Sequence, residues 1–170
     1  MRLPLVQLAI PVLFAAACDG GSGFAGDYAA IDFAREQGAC AGTRIAEPVP
    51  ARDQWFQLAD TAGLVAYHAC DEQGVCDAQY DLARSFGTAR PGDGAWAGYV
   101  SSAIPGTMCT LSYRVRTLNH GDDGALEITT LVYRELDGTL TGSACNDTVA
   151  SERGTTMPCV EDTLLTAEDR

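Results

Sequence analysis

Residues 95–136 read AWAGYVSSAIPGTMCTLSYRVRTLNHGDDGALEITTLVYREL. Ala95 to Ile104 and Met108 to Leu118 are two strand-like runs that meet at Pro105-Gly106, a turn pair in which a fixed φ is followed by a free one. Asp122-Asp123-Gly124 leads into Ala125 to Leu136, and Asp137-Gly138 leads on to Thr139 to Cys145. Asp-Gly between such runs is a strong short-range hairpin signal. The second run alternates cleanly, with Cys109, Leu111, Tyr113 and Val115 on one face and Thr110, Ser112, Arg114 and Arg116 on the other. Period two predicts a strand with its cysteine face buried and its arginine face wet.

Outward from this stretch, Trp55 to Ala59 and Leu64 to Cys70 flank the turn Asp60-Thr61-Ala62-Gly63, and Glu161 to Ala167 supplies a last strand. Asp27 to Gly38 reads as a helix capped by Asp27 with Ile31 and Ala34 facing inward, or as a further strand. Ala46 to Pro50 is a linker, because each proline pushes its predecessor out of helical geometry. Successive hairpins without helical crossovers make an all-β antiparallel meander. About seven or eight strands close into an up-and-down barrel or fold into a two-sheet sandwich, since closure removes aggregation-prone edges. In strand number and spacing the pattern resembles the lipocalin-type barrels, without that family's Gly-x-Trp signature near the first strand. The resemblance implies, as one functional expectation, a carrier of a small hydrophobic ligand.

The amino end is a separate unit. Met1-Arg2 gives a positive start, Leu3 to Ala17 is apolar, and the run ends Ala15-Ala16-Ala17-Cys18. This order resembles the signal peptide and lipobox of bacterial lipoproteins, which implies acylation of Cys18 and a mature chain beginning there. The apolar run falls short of the roughly 20 residues a spanning helix needs. The three alanines also satisfy an ordinary secretory cleavage site. The expected organisation is a signal peptide over 1–17, a lipidated cysteine and glycine-rich tether over 18–26, and a single β-rich domain over 27–170. The expected address is the bacterial cell envelope, anchored to the outer membrane, with inner-membrane anchoring or secretion as alternatives.

The formal net charge is −12, and all 11 basic side chains are arginines. Such an acidic surface keeps a protein soluble and repels nucleic acid. The seven cysteines leave one unpaired, and lipidation of Cys18 accounts for it. Cys70 and Cys76 flank Asp71-Glu72-Gln73-Gly74-Val75, where a three-residue loop ending at Gly74 sets the cysteines opposite each other within disulfide range. A metal site at His68, Cys70 and Cys76 is the competing reading, but no further ligand pair completes a tetrahedral set. Cys40, Cys109, Cys145 and Cys159 allow three connectivities. The meander favours Cys40–Cys109 with Cys145–Cys159; Cys40–Cys159 is the runner-up.

Signals for chemistry are sparse. His120 lies in a turn-like Asn119-His120-Gly121-Asp122-Asp123-Gly124, and the acid pairs Asp71-Glu72, Asp122-Asp123 and Glu161-Asp162 fall at turns or strand ends. Trp55, Phe56, Trp96, Tyr99, Tyr113 and Tyr133 read as core or barrel lining, and Asn146-Asp147-Thr148 as an incidental glycosylation sequon. Neither a Gly-x-Ser-x-Gly elbow, a phosphate loop nor a dinucleotide fingerprint is present. No catalytic residue, metal or cofactor is assigned. The leading expectation is a lipid-anchored envelope protein with a non-enzymatic structural or protein-binding domain. A hydrophobic-ligand carrier and an envelope hydrolase with an unrecognised site are the alternatives.

Overall fold

The computed structural model describes residues 21–38, 40–90 and 94–170. The expected signal peptide and lipobox-like stretch, with Cys18, lie outside these residues. The described chain is an antiparallel barrel-like sheet. Its strands are β1 (Gly26–Gln37), β2 (Ile45–Ala46), β3 (Trp55–Thr61), β4 (Leu64–Ala69), β5 (Thr88–Ala89), β6 (Trp96–Ile104), β7 (Cys109–His120), β8 (Leu126–Asp137) and β9 (Cys159–Asp169). They are ordered β4-β3-β1-β9-β8-β7-β6-β5, with β2 beside β1. The last strand therefore closes on the first. On the opposite side a short seam joins β4 to the chain entering β5: Val65 and Phe86 exchange two backbone hydrogen bonds of 2.9 Å, the Asp81 N–H donates to the Tyr67 oxygen at 2.8 Å, and the Tyr67 N–H donates to the Ser85 hydroxyl at 3.0 Å. Gly98 of β6 lies where Ser85 crosses, so close that a Cβ there would sit 2.1 Å from the Ser85 carbonyl oxygen.

The segment 27–38 is strand, not helix. It is paired along both edges, to β3 and to β9, and these ladders outweigh a weak helical pattern. A bulge between Ala30 and Asp32 re-phases the strand, so that Ile31, expected inward, is 53% exposed. Thr139 to Cys145 is likewise not a strand. It holds one 3₁₀ turn, followed by helix α1 (Asp147–Arg153). The Asn146 side chain accepts from the Val149 N–H at 3.1 Å, making the apparent sequon a helix N-cap. The helix stops at Gly154, where φ is +46°. It lies on the outside of the barrel, and Ala150, Met157 and Cys145 cover Cys109 and Leu111 there.

This placement corrects the reading of β7. On the cysteine face Cys109 and Leu111 are buried, on the outside and beneath the 140–158 excursion, while Tyr113 and Val115 are half-buried. The arginine face is the barrel lumen: Arg116 is 7% exposed and Leu118, in phase with it, is fully buried. Phe24, Tyr28, Phe56, Leu58, Tyr67, Phe86, Leu118, Leu126, Ile128 and Leu165 fill one half of that lumen, each buried side chain of this size contributing about 1.5–3 kcal/mol. Because Phe24 belongs to this core, the chain from Gly21 onward is docked to the barrel and is not a free tether. The Ser22 N–H donates to Asp60 at 3.0 Å.

Three cysteine pairs are bonded: Cys40–Cys159, Cys70–Cys76 and Cys109–Cys145. The expected Cys40–Cys109 and Cys145–Cys159 pairings are replaced, for a reason of register. β1 and β9 are antiparallel partners up to Gln37 opposite Glu161, so the next residues out bring Cys40 to Cys159, with Cα atoms 5.7 Å apart. Cys109 points outward, toward the returning chain that carries Cys145.

Candidate functional site

The pairing register arranges the lumen in layers. Trp96, Leu118, Ile128, Leu165 and Phe33 are successive partners across β6, β7, β8, β9 and β1. Two residues along each strand, the layer becomes Gly98, Arg116, Thr130, Thr163 and Arg35. The next is Val100, Arg114, Val132, Glu161 and Gln37. Strand alternation sends all of these inward. The lumen thus changes from apolar to polar halfway along, and the polar half opens as a cavity of about 320 Å³. The closing wall adds Asp53, Arg84, Glu47 and Pro48.

Charge in this cavity is only partly neutralised. Arg84 pairs with Asp53 and with Asp81 at 3.2 Å, and Arg35 pairs with Glu161 at 2.7 Å. The Tyr67 hydroxyl donates to Asp53 at 3.0 Å. Burial, then the Asp53 charge, pushes the Tyr67 phenol well above its ordinary range. Arg116 donates to the Arg84 carbonyl oxygen, and its guanidinium lies 5.4 Å from the Tyr67 ring centre and 5.1 Å from that of Phe86. Burial lowers its pKa to about 10, which still leaves it charged at neutral pH. Arg114, nearer the opening, is exposed and has no ion-pair or hydrogen-bond partner among the described residues.

The residues singled out from sequence are not brought together. His68 Nδ1 is 2.8 Å from the backbone oxygen of Asp77, and its ring meets Tyr80 edge-on at 6.2 Å. His120 ends β7, at the apolar end, and stacks on Phe24 at 4.7 Å. Asp71 closes its own turn, accepting from the N–H groups of Gln73 at 3.0 Å and Val75 at 2.8 Å. Asp123 accepts from the Ala125 N–H at 3.0 Å. Among the described residues, no group of three or more His, Cys, Asp and Glu side chains could hold a metal ion. Phe56 is core and Trp96 packs against it, whereas Tyr99, Tyr113 and Tyr133 form a row of ring contacts on the outer face.

What the sequence reading missed is the arginine pair. Alternation separates the two faces of a strand but does not say which one a barrel turns inward. Gly98, across from Arg116, was the available hint, since a glycine inside a strand marks a close backbone approach. Among the described residues no helix is long and apolar enough to cross a membrane. No protein-family model, curated protein or solved structure matches the chain.

Proposed function

We propose that this chain is a lipid-anchored envelope protein whose barrel binds, without catalysis, through its open arginine-lined end. The observation that carries this is the division of the lumen: one half is filled by aromatic and aliphatic side chains, and the other opens lined by charged groups, of which Arg35 and Arg84 are ion-paired while Arg114 and Arg116 form no ion pair among the described residues. Four of the exposed large hydrophobic residues, Ile45, Ile104, Met108 and Leu136, lie toward the same end by register, which suits contact with a partner there. His68 contacts the Asp77 carbonyl and the Tyr80 ring, and no hydrogen bond joins it to a serine or a carboxylate among the described residues, so it lends hydrolysis no support. A carrier of hydrophobic ligands is less well supported, because the apolar half of the lumen is already occupied by side chains.

The anchor would set the orientation. Gly21 follows Cys18 by three residues, a reach of at most about 10 Å. The chain joins the barrel at its apolar end, where His120 Nε2 lies 3.4 Å from the Gly23 oxygen. Lipidation at Cys18 would hold that end at the membrane and turn the arginine-lined end away from it. Photocrosslinking residues installed at Gln37, at the open end, and at Asp122, at the apolar end, test the reading in the native envelope. Adducts from position 37 and none from 122 are expected. Adducts from 122 alone, or from neither, overturn it.

A further inference from the structure

We infer that the open end takes one oxyanion group, a carboxylate or a phosphate of a small molecule, between Arg116, Arg114, Thr130 and Thr163. This rests on the open end being the binding end. The chain carries a net charge of −12 and only 11 basic residues, yet Arg35, Arg84, Arg114 and Arg116 line one cavity. The acids lining it are Glu47, Asp53 and Glu161. Asp53 is paired with Arg84, which also reaches Asp81 outside the lining, and Glu161 is paired with Arg35, whereas neither Arg114 nor Arg116 forms an ion pair among the described residues. Among the lining side chains, four arginines against three carboxylates leave one positive charge in an acidic protein.

Arg116 is the decisive group. It is 7% exposed, and of the five N–H donors a guanidinium carries, it commits one, to a neutral carbonyl. Asp53 acts on Arg116 from nearby without pairing with it; a buried cation without a directly paired carboxylate is unfavourable, and an aliphatic side chain would pack between Tyr67 and Phe86 without that penalty. The remaining donors are not sealed off, since none is among the buried polar atoms without a partner. They open toward the cavity that Arg116 lines.

The neighbours complete a cradle. Arg114 is two residues along the same strand face, about 6.6 Å away. Thr130 is the cross-strand partner of Arg116, and Thr163 that of Thr130. Neither threonine hydroxyl has a protein partner among the described residues. Two guanidinium forks and two hydroxyls match the lone pairs of an oxyanion, and the planar fork suits bidentate contact. A volume of about 320 Å³ fits a small ligand, at the lower end of pockets that take small molecules.

The test is an NMR titration of the arginine Nε–Hε resonances in the full chain, at constant ionic strength, with sodium acetate in one arm and inorganic phosphate in the other. Saturable shifts at Arg114 and Arg116, with only a small linear drift at exposed Arg134, are expected in at least one arm. Saturation by acetate alone assigns a carboxylate ligand, and saturation by phosphate alone assigns a phosphate. Arg114→Gln should weaken the midpoint about tenfold while leaving the melting temperature unchanged, as a charge-assisted hydrogen bond from an unpaired surface residue requires. Linear drift in both arms, or an unchanged midpoint in Arg114→Gln, overturns the proposal. If the titration fails while crosslinks from position 37 persist, the oxyanion assignment falls and the binding end stands. Failure of both removes the binding end as well.

Discussion

Gly98→Ala should loosen the barrel at its weakest seam. The added Cβ would sit 2.1 Å from the Ser85 oxygen and 3.2 Å from its carbonyl carbon, both backbone atoms that no rotamer change can clear. Restoring a normal contact requires the crossing chain to retreat by about 1 Å, typical of small-to-large strain that costs about 1–3 kcal/mol. That chain holds the closure. The Ser85 hydroxyl accepts from the Tyr67 N–H at 3.0 Å and donates to the Asp81 oxygen at 2.8 Å. Phe86 makes the two bonds to Val65. Weakening one or two of these adds about 0.5–1.5 kcal/mol each, for a total of roughly 1.5–6 kcal/mol. At about 2–4 °C per kcal/mol for a chain of this size, the melting temperature should fall by roughly 3–24 °C. Gly87→Ala is the control, because a Cβ there meets nothing within 4 Å. Thermal melts should be read beside hydrogen exchange at the Val65 and Phe86 amides, which should accelerate in Gly98→Ala alone. A Gly98→Ala protein that melts with the parent, or exchange at Val65 and Phe86 that does not change, would refute the closure described here.

Cys18→Ser should release the protein from the membrane fraction with its melting behaviour intact, since the core begins beyond Cys18, at Phe24; a variant that still sediments with membranes contradicts the anchor. Non-reducing peptide mapping should recover Cys40–Cys159, Cys70–Cys76 and Cys109–Cys145, and the Cys40–Cys109 pairing would refute the register. With sequence separations of 119, 36 and 6, the chain-entropy picture ranks single-bridge removals at about 4.9, 3.8 and 2.2 kcal/mol. Asp137 receives bonds from the Thr139 hydroxyl, the Thr139 N–H and Arg153, which hold its carboxyl at about 2 against an ordinary 3.8. A depressed carboxyl favours the fold above its ordinary pKa and loses that contribution as pH falls through the folded value. The Asp137 carboxyl carbon should accordingly titrate by NMR near 2, whereas a midpoint near 3.8 contradicts the contact.

The hairpins were legible because their signals are local. Asp122-Asp123-Gly124 and the runs on either side needed no distant contact to be read, and β7 and β8 begin and end within two residues of the sequence reading. The first strand was ambiguous because its bulge at Ile31 breaks the alternation that would have marked it. Helix α1 was missed even though Asn146 is a good N-cap and Gly154 a good stop, because at seven residues it shows too little periodicity to stand out. The cysteine partners and the polar lumen depend on closure, through the register of β1 against β9 and the inward turn of the arginine face. No local pattern contains either. Arg114 and Arg116 were visible as a polar alternation, and only the tertiary fold makes that alternation an interior.

Native mass spectrometry of the protein purified from its own envelope tests the account most directly. The parent chain should carry an acyl mass together with a bound small anion or partner, and Arg114→Gln should keep the acyl mass while losing the bound species. A parent chain that retains its acyl group but carries nothing, or a bound species retained undiminished in Arg114→Gln, would contradict binding at the arginine-lined end.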